Sequence, residues 1–595
     1  MISPERLLAG RDLTEPRPSP DGNHVAVVVA AAGGAAIVSV PVDGGPERQL
    51  TSFPAPRPGR GTGGGCFDWL PDGSGLVYLA ADGGLWHQPF PGGDPRLIAR
   101  PEAADGLAGV AVSPDGAQVA VVADLERVLV VRLADGAVHR VDDGAFEFVI
   151  DPSWAPDGGA LTWQAWSAPS MPWDHSVQVI RRLGATPEHA VARVAAGTVQ
   201  QPRLDAHGRR WCVGDASGWL NVTCDDRAVL AEPFEHAGPT WGAGQHSYDV
   251  AADGTVVLCR NEGGFGRLVV VAPDGTVSEL GKGVHAQVRF TGRHVVAWRS
   301  GGRTPTQIVA YDRDTRERRV LMVGPLAGWE QEPALVEPEL VEVPTADGVV
   351  LHARRYASPS PTGRLLCWLH GGPTDQWMVD FRPRVTLWLD RGWDVLVPDH
   401  RGSTGHGRAY QQALEGRWGD LDVDDVATML EHEQRRGGWS GDGTVIMGSS
   451  AGGLTVLGVA ARYPHRIAAA VALYPVTDLV DLRQRSHRFE RHSTDTLVAP
   501  VPDGVGVLRE RSPLTWAHRL AGVPLMVMHG TDDPVVPVEQ SRALVAAIGE
   551  AGGTVEYVEY PGEGHGFRQR DHQRDEHARV AAFCERHLST LRDRR

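Results

Sequence analysis

At 595 residues the chain is too long for one ordinary hydrophobic core, so two or more domains are expected. Its 42% hydrophobic and 22% charged residues are the composition of an ordinary soluble globular protein. The net charge of −16 comes from scattered acids and argues against nucleic acid as a partner, because phosphate binding needs a basic surface.

The N-terminal stretch MISPERLLAGRDLTEPRPSPDG lacks the apolar core of a secretion signal. The longest apolar run, VAVVVAAAGGAAIVSVPV (25–42), has alternating valines around Gly-Gly and predicts a β-hairpin rather than a membrane span. Six cysteines, Cys66, Cys212, Cys224, Cys259, Cys367 and Cys584, lie far apart without a CxxC pair. That spacing suggests neither a disulfide framework nor a zinc site, and a cytoplasmic location is expected.

The first half repeats itself. PSPDGNHVAVV, WLPDGSGLVYL, VSPDGAQVAVV and WAPDGGALTWQ each set Pro-Asp-Gly before an alternating strand, with weaker echoes in LDAHGRRWCV, VAADGTVVLC and FTGRHVVAW. The residues before the turn glycines, Asp21, Asp72, Asp115, Asp157, His207, Asp253 and Thr291, recur at the roughly 40–50-residue period of a propeller blade. Asp-Gly supplies the positive φ that a tight hairpin needs. Secondary turns such as VDGGPERQLT, PGGDPRLIA, LADGAVHRV and APDGTVSEL fit the outer strands. The prediction is an N-terminal seven-bladed β-propeller over residues 1–325, including a short N-terminal segment.

The Pro- and Glu-rich stretch around 326–343 reads as a linker. Over 344–595 the strands LLCWL, DVLVP, TVIM, AAAVALY, PLMVMH and VEYVEY alternate with helical stretches such as DVDDVATMLEHEQRR and SRALVAAIGEAG. Such alternation predicts a parallel sheet with helices on both faces, here a C-terminal α/β-hydrolase domain.

Within it, GSSAGG is held between the strand TVIM and the helix LTVLGVAARYP, where a flexible linker has no place. Gly448, Ser450 and Gly452 fit G-x-S-x-G, whereas Ser449 does not, because Met447 occupies the first glycine position. The glycines allow a sharp turn that presents Ser450 as a nucleophile. A serine nucleophile needs a base and an orienting acid, which follow it in the order acid, then histidine. MVMHGTDDPVVP offers Asp532 and Asp533, and VEYVEYPGEGHGF ends in His565 within a glycine-rich turn. Of the chain's 24 histidines, His572, His577 and His587 fall on a charged helical tail and read as surface residues. The oxyanion requires donors. LLCWLHGGP supplies an HGG-type loop, and the backbone N–H groups of Gly372 and Ala451 are the expected pair.

Three motifs carry no chemistry. GRGTGG (59–64) resembles a dinucleotide fingerprint but lies in a Pro-rich loop with no helix after it. DLDVDDVATMLE has Asp425 where a calcium loop needs glycine and reads as a helix start. Asn221-Val222-Thr223 is a glycosylation sequon only in a secreted chain.

Through HGGPT, DHRGSTGHGRAY, GRWGDLDVDDV, GSSAGG, HGTDDPVVP and GEGHGF, and through WSAPSMPWD, QQPRLDAHG and DASGWLNV, the chain resembles the prolyl oligopeptidase family of serine peptidases. The nearest branch is the acylaminoacyl-peptidase and dipeptidyl-aminopeptidase-like one. The resemblance implies that Asp533, four residues after the histidine of HGxxD, completes the triad rather than Asp532. It implies a peptidase for short peptides or amino-acyl amides, with the propeller gating access and no metal or organic cofactor. No membrane partner is implied, and a homo-oligomer is compatible with these features. Two departures stand out. Ala451 replaces the aromatic that often follows the nucleophile, and the propeller lacks the double glutamate with which dipeptidyl peptidases grip an amino terminus. Asp174 and Glu490 are the acids selected to meet a substrate ammonium. The rival readings are a small-molecule esterase or amidase and a non-catalytic propeller scaffold.

Overall fold

The computed structural model describes residues 2–31, 34–59, 61–184, 191–195, 197–324 and 328–589. The chain divides into two compact units. One comprises Gly10–Glu330 with Met378–Phe381; the other comprises Met1–Ala9, Gln331–Trp377 and Arg382–Arg595.

The first unit is the seven-bladed propeller. Its described residues form seven four-stranded antiparallel sheets, each built from four strands consecutive in the chain. The first strands are Asp12–Pro18, Phe67–Trp69, Leu107–Val112, Phe148–Trp154, Val199–Leu204, Tyr248–Val250 and Val284–Thr291. First strands touch in five of the seven pairs of neighbouring blades, including blades 7 and 1, which places them around the axis. Every marker turn joins a first to a second strand, and all seven turn glycines have positive φ, from +48° at Gly292 to +85° at Gly254. The recurrent aspartate also has a mechanism: its carboxylate accepts the N–H two residues on, as in Asp115 to Ala117 (3.0 Å) and Asp253 to Thr255 (2.9 Å). The 25–42 run forms the predicted hairpin, His24–Ala31 paired with Gly34–Pro41, with the turn residues 32–33 outside the described residues. The secondary turns lead into the fourth strands, and the described part of GRGTGG is loop. Asn221 is buried in a strand, its amide held by the carbonyl of Phe234.

Apolar clusters fill the wedges between neighbouring blades; that between blades 7 and 1 joins Leu13, Val25 and Val27 to Val296, Trp298 and Ile308. β-Branched side chains pack well on pleated surfaces, so a valine-rich repeat suits this architecture.

The second unit is built on an eight-stranded sheet: β1 (Glu339–Pro344), β2 (Val350–Tyr356), β3 (Arg364–Leu369), β4 (Trp393–Asp399), β5 (Thr444–Ser449), β6 (Ala469–Leu473), β7 (Leu525–Gly530) and β8 (Val555–Tyr560). Their spatial order is 1-2-4-3-5-6-7-8. From β4 to β8 the pairing is parallel, while β1 and β2 add an antiparallel edge that the strand–helix alternation does not foretell. Helices Leu421–Gly437, Ala451–Arg462 and Val538–Glu550 contribute to one apolar core, and Pro383–Asp390 and Arg570–Ser589 to a second. The strand residues of β5 and β7 alternate between these two cores, which explains their continuous apolar sequence. DLDVDDVATMLE begins a helix, as expected, with Asp422 accepting the N–H of Gly419 at 2.7 Å.

One reading of the tail is corrected. His577 is buried, not on the surface, and burial, reinforced by Arg384 and Arg391, lowers its pKa to about 3. His572 is tied to Glu563 at 2.9 Å, and His587 packs on Phe583. The charged pattern of this helix hides the face on which Val580, Phe583 and Cys584 enter the core.

Candidate active site

Ser450 stands between β5 and the helix Ala451–Arg462 with φ +55° and ψ −123°, a conformation unusual for a residue with a side chain. The surrounding glycines are required by close approach. A Cβ on Gly448 would lie 2.6 Å from the carbonyl oxygen of Gly452, and one on Gly453 would lie 2.7 Å from Pro475 Cβ. One on Gly452 would overlap the carbonyl oxygen of His370. The motif therefore fixes a tight strand–turn–helix elbow and lets the HGG loop lie against it. Gly371 approaches closely enough that a Cβ there would sit 3.4 Å from Ser450 Cβ.

Asp533 and His565 follow β7 and β8 and are brought together directly: Asp533 Oδ2 lies 2.7 Å from His565 Nδ1. The other carboxylate oxygen accepts the N–H groups of Val535 and Val536, each at 2.9 Å. A carboxylate fixed in this way takes the Nδ1 hydrogen of His565 and leaves Nε2 free to accept a proton. Burial pushes the Asp533 carboxyl up, but hydrogen bonds from His529 and His565 outweigh it and hold the group well below the usual carboxylate range. Asp532 instead meets Thr531 at the surface, at 2.8 Å.

Ser450 and His565 flank the segment after β6. Ser450 N donates to Leu473 O at 3.0 Å, and the ring of Tyr474 meets the imidazole edge-on with centroids 4.8 Å apart. Among the described residues the Ser450 hydroxyl makes no hydrogen bond, and the amides of Gly372 and Ala451 donate to none. Catalytic hydrogen bonds often tighten only when substrate binds.

Several residues near this centre carry roles that motif spacing alone does not reveal. His529, fully buried, lies 3.3 Å from Asp533 Oδ2 through Nε2, which also faces Val536 O at 2.9 Å; its Nδ1 faces Ser541 Oγ at 2.7 Å. Tyr474 has φ +38° and packs on both His565 and Phe567. Beneath the HGG loop, His370 Nε2 meets Ser403 Oγ at 2.8 Å, and burial, with His400 beside it, lowers its pKa to about 4. Gln376, on the same loop, donates to Asp399 at 2.7 Å, and Asp399 is held by both terminal nitrogens of the buried Arg354 at 2.6 and 2.5 Å. The HGTDD and DHRGSTGHG motifs contain His529 and Asp399, so their positions are legible even where their contacts are not.

The two acids selected for a substrate ammonium have local engagements. Asp174, in the propeller, accepts the N–H of Met171 at 3.0 Å, and Glu490 lies 3.2 Å from His487 Nε2. Among the described residues no group of three or more His, Cys, Asp or Glu side chains is arranged to hold a metal, and no helix is long and apolar enough to cross a membrane.

Residues 379–590 match the model of the prolyl oligopeptidase family. The chain is 30% identical over 258 residues to dipeptidyl peptidase family member 6 of Caenorhabditis elegans, covering 42% of this chain and 35% of that protein. It is 30% identical over 227 residues to dipeptidyl aminopeptidase BIII of Pseudoxanthomonas mexicana, covering 37% and 32%. The match thus spans about a third of these curated relatives. A solved structure of a puromycin-hydrolyzing peptidase from Mycobacterium tuberculosis superposes with a TM-score of 0.89 at 25% identity, over 99% of this chain and 96% of that one. With the elbow and the acid–imidazole pair in place, residues 379–590 belong to the prolyl oligopeptidase family, and the chain as a whole shares the fold of the mycobacterial peptidase.

Proposed function

We propose that the protein is a serine peptidase that hydrolyses short peptides or amino-acyl amides through an acyl-enzyme, with Ser450 as nucleophile, His565 as general base and Asp533 as its orienting acid. The observation that carries this reading is the Asp533–His565 contact at 2.7 Å in the loops after β7 and β8, beside a serine elbow after β5. Ser450 Oγ attacks the amide carbonyl as His565 Nε2 takes its proton, and the imidazolium then protonates the departing amine. Water repeats the sequence on the ester to release the acid. The N–H groups of Gly372 and Ala451 receive the oxyanion in both steps.

The substrate class draws on the similar mycobacterial protein, a puromycin-hydrolyzing peptidase. The proposed propeller role is to restrict access to small substrates.

The test is labelling and turnover. A fluorophosphonate should modify Ser450, and Ser450→Ala should lose about 10³-fold or more in kcat on amino-acyl amides while its circular dichroism is unchanged. Comparable activity in Ser450→Ala rules the assignment out. A rate advantage for simple esters over amides in the wild type would favour an esterase instead.

A further inference from the structure

The propeller repeat places seven residues at one register position of the first strands, each opposite an equivalent residue of the second strand. In chain order they are Arg17, Asp68, Ala111, Ser153, Arg203, Asp249 and Arg289. In four blades this position follows a bulge whose first residue has positive φ although it carries a side chain: Glu15, Asp151, Gln201 and Gln287. Those side chains tie blades together across the axis. Glu15 accepts the N–H of Gly65 at 2.8 Å, and Asp151 Oδ1 accepts that of Gly244 at 2.6 Å. Gln287 Nε2 donates to the carbonyls of Thr62 and Gly244 at 3.0 and 2.6 Å. Gly64 N donates to Ala243 O at 3.1 Å, so the loops leading into blades 2 and 6 meet and close this end of the axis.

Just inside that closure three arginines, Arg17, Arg203 and Arg289, stand among the acids Glu15, Asp68, Asp249 and Asp151, but the hydrogen bonds are unevenly shared. Arg17 is satisfied by Glu15 and Asp68, both at 3.0 Å. Arg203 donates to Tyr248 O at 2.6 Å and lies 3.6 Å from Asp249. Asp68 and Asp249 spend further oxygens on the N–H groups of Val112 and Phe290. Arg289 is left over: its guanidinium donates to no described residue, and its Nε is buried without a partner. Burial, with Arg17 and Arg203 nearby, lowers its pKa to about 9, so the group stays charged at neutral pH. In a seven-membered ring, blade 7 faces blades 3 and 4, whose residues at this position, Ala111 and Ser153, are the two small ones. Those two positions thus put no long side chain opposite Arg289, which among the described residues is the axial guanidinium without an acceptor.

We propose that Arg289 binds a small oxyanion, a carboxylate or phosphate group, on the propeller axis between blade 7 and the small side chains of blades 3 and 4. Two oxygens in a plane match the guanidinium fork, which water does not. The free oxygen of Asp151 lies two residues before Ser153, nearer the closed end. Burial raises that carboxyl to about 6 against the Gly244 N–H, so it takes up a proton readily when an anion arrives.

The test follows thermal unfolding of the full chain as inorganic phosphate or acetate is added at constant ionic strength and pH. A saturable rise in the unfolding midpoint is expected with one of them, and which one distinguishes a phosphate from a carboxylate site. Arg289→Met should weaken the apparent affinity at least about tenfold. Ser153→Leu, which puts a longer side chain at the facing position without altering charge, should do the same, while Arg132→Met at an exposed pair keeps the wild-type response. Absence of a saturable rise with either anion overturns the proposal. So does a rise that survives in Arg289→Met or, should that variant not fold, in Ser153→Leu.

Discussion

Asp533 decides which nitrogen of His565 carries the hydrogen, because its Oδ2 accepts from Nδ1 while its Oδ1 is occupied by two backbone amides. An amide in its place can turn its NH₂ toward the ring and select the wrong tautomer. Asp533→Asn should therefore lower kcat by about 10³- to 10⁴-fold with a much smaller change in KM, measured on the same amide substrate as the wild type. Asp399 is a different kind of carboxylate: it and Arg354 are wholly buried, and Gln376 and His406 complete its hydrogen bonds. Replacing it by Asn strands the guanidinium, and the expected loss is about 3–5 kcal/mol in urea unfolding at neutral pH. Burial raises the Asp399 carboxyl, but Arg354 and then His406 overcome that effect and leave it far below its unfolded value. A depressed folded pKa gives stability that is fully present above the unfolded value of about 4 and lost as pH falls below it. The gap between wild type and Asp399→Asn should thus be constant from about pH 5 to 7 and shrink under more acidic conditions. A gap that widens in acid would contradict this sign.

At the scale of the element, the elbow joins three segments through backbone contacts. The carbonyl of His370 faces Gly452 at a separation that leaves no room for a methyl group, so Gly452→Ala must push the HGG loop away from Ser450 or shift the start of the helix. Because the obstructing atom is backbone, relief by a side-chain rotation is unavailable. The expected outcome is a fall in kcat of at least about 10²-fold, as for loss of one oxyanion donor, with fluorophosphonate labelling of Ser450 slowed in parallel. These contacts could be anticipated because strand, glycine turn and helix are all local in sequence. The blades were legible for the same reason: Asp-Gly fixes a positive φ and an Asx turn within a few residues, wherever the hairpin sits. What remained hidden depends on partners distant in the chain. The antiparallel edge formed by β1 and β2 joins the sheet through β2 and β4 rather than through β2 and β3, and neither its alternation nor its turns encode that choice. His577 looks exposed in a charged helix because only the packed helix shows which face meets Arg384 and the core. The axial arginines and acids lie in strands about 40–50 residues apart, and their common register becomes visible only when the bulges are known.

For the molecule as a whole, ring closure is the feature that the local repeat does not guarantee. Each blade is made of consecutive strands, so no strand from one end of the repeat completes a sheet at the other. Blade 7 meets blade 1 through the shared apolar cluster, through Trp298 Nε1 donating to Leu13 O at 2.9 Å, and through Arg11 donating to Val323 O. The remaining wedges join blades already adjacent in sequence and need close only short loops, whereas this one must bring together residues almost 300 positions apart, at a correspondingly larger chain-entropy cost. Trp298→Ala should remove about 3–5 kcal/mol by the cavity it leaves. Trp298→Phe retains much of the packing and should forfeit little beyond the hydrogen bond, about 1 kcal/mol. Because the propeller and catalytic units have separate cores, the loss should fall on the propeller's unfolding transition in a denaturant titration, while the transition reported by the catalytic unit stays in place. A parallel shift of both transitions by the full amount would show that the two units unfold as one cooperative body, and closure at Trp298 would then support the entire chain rather than the ring alone.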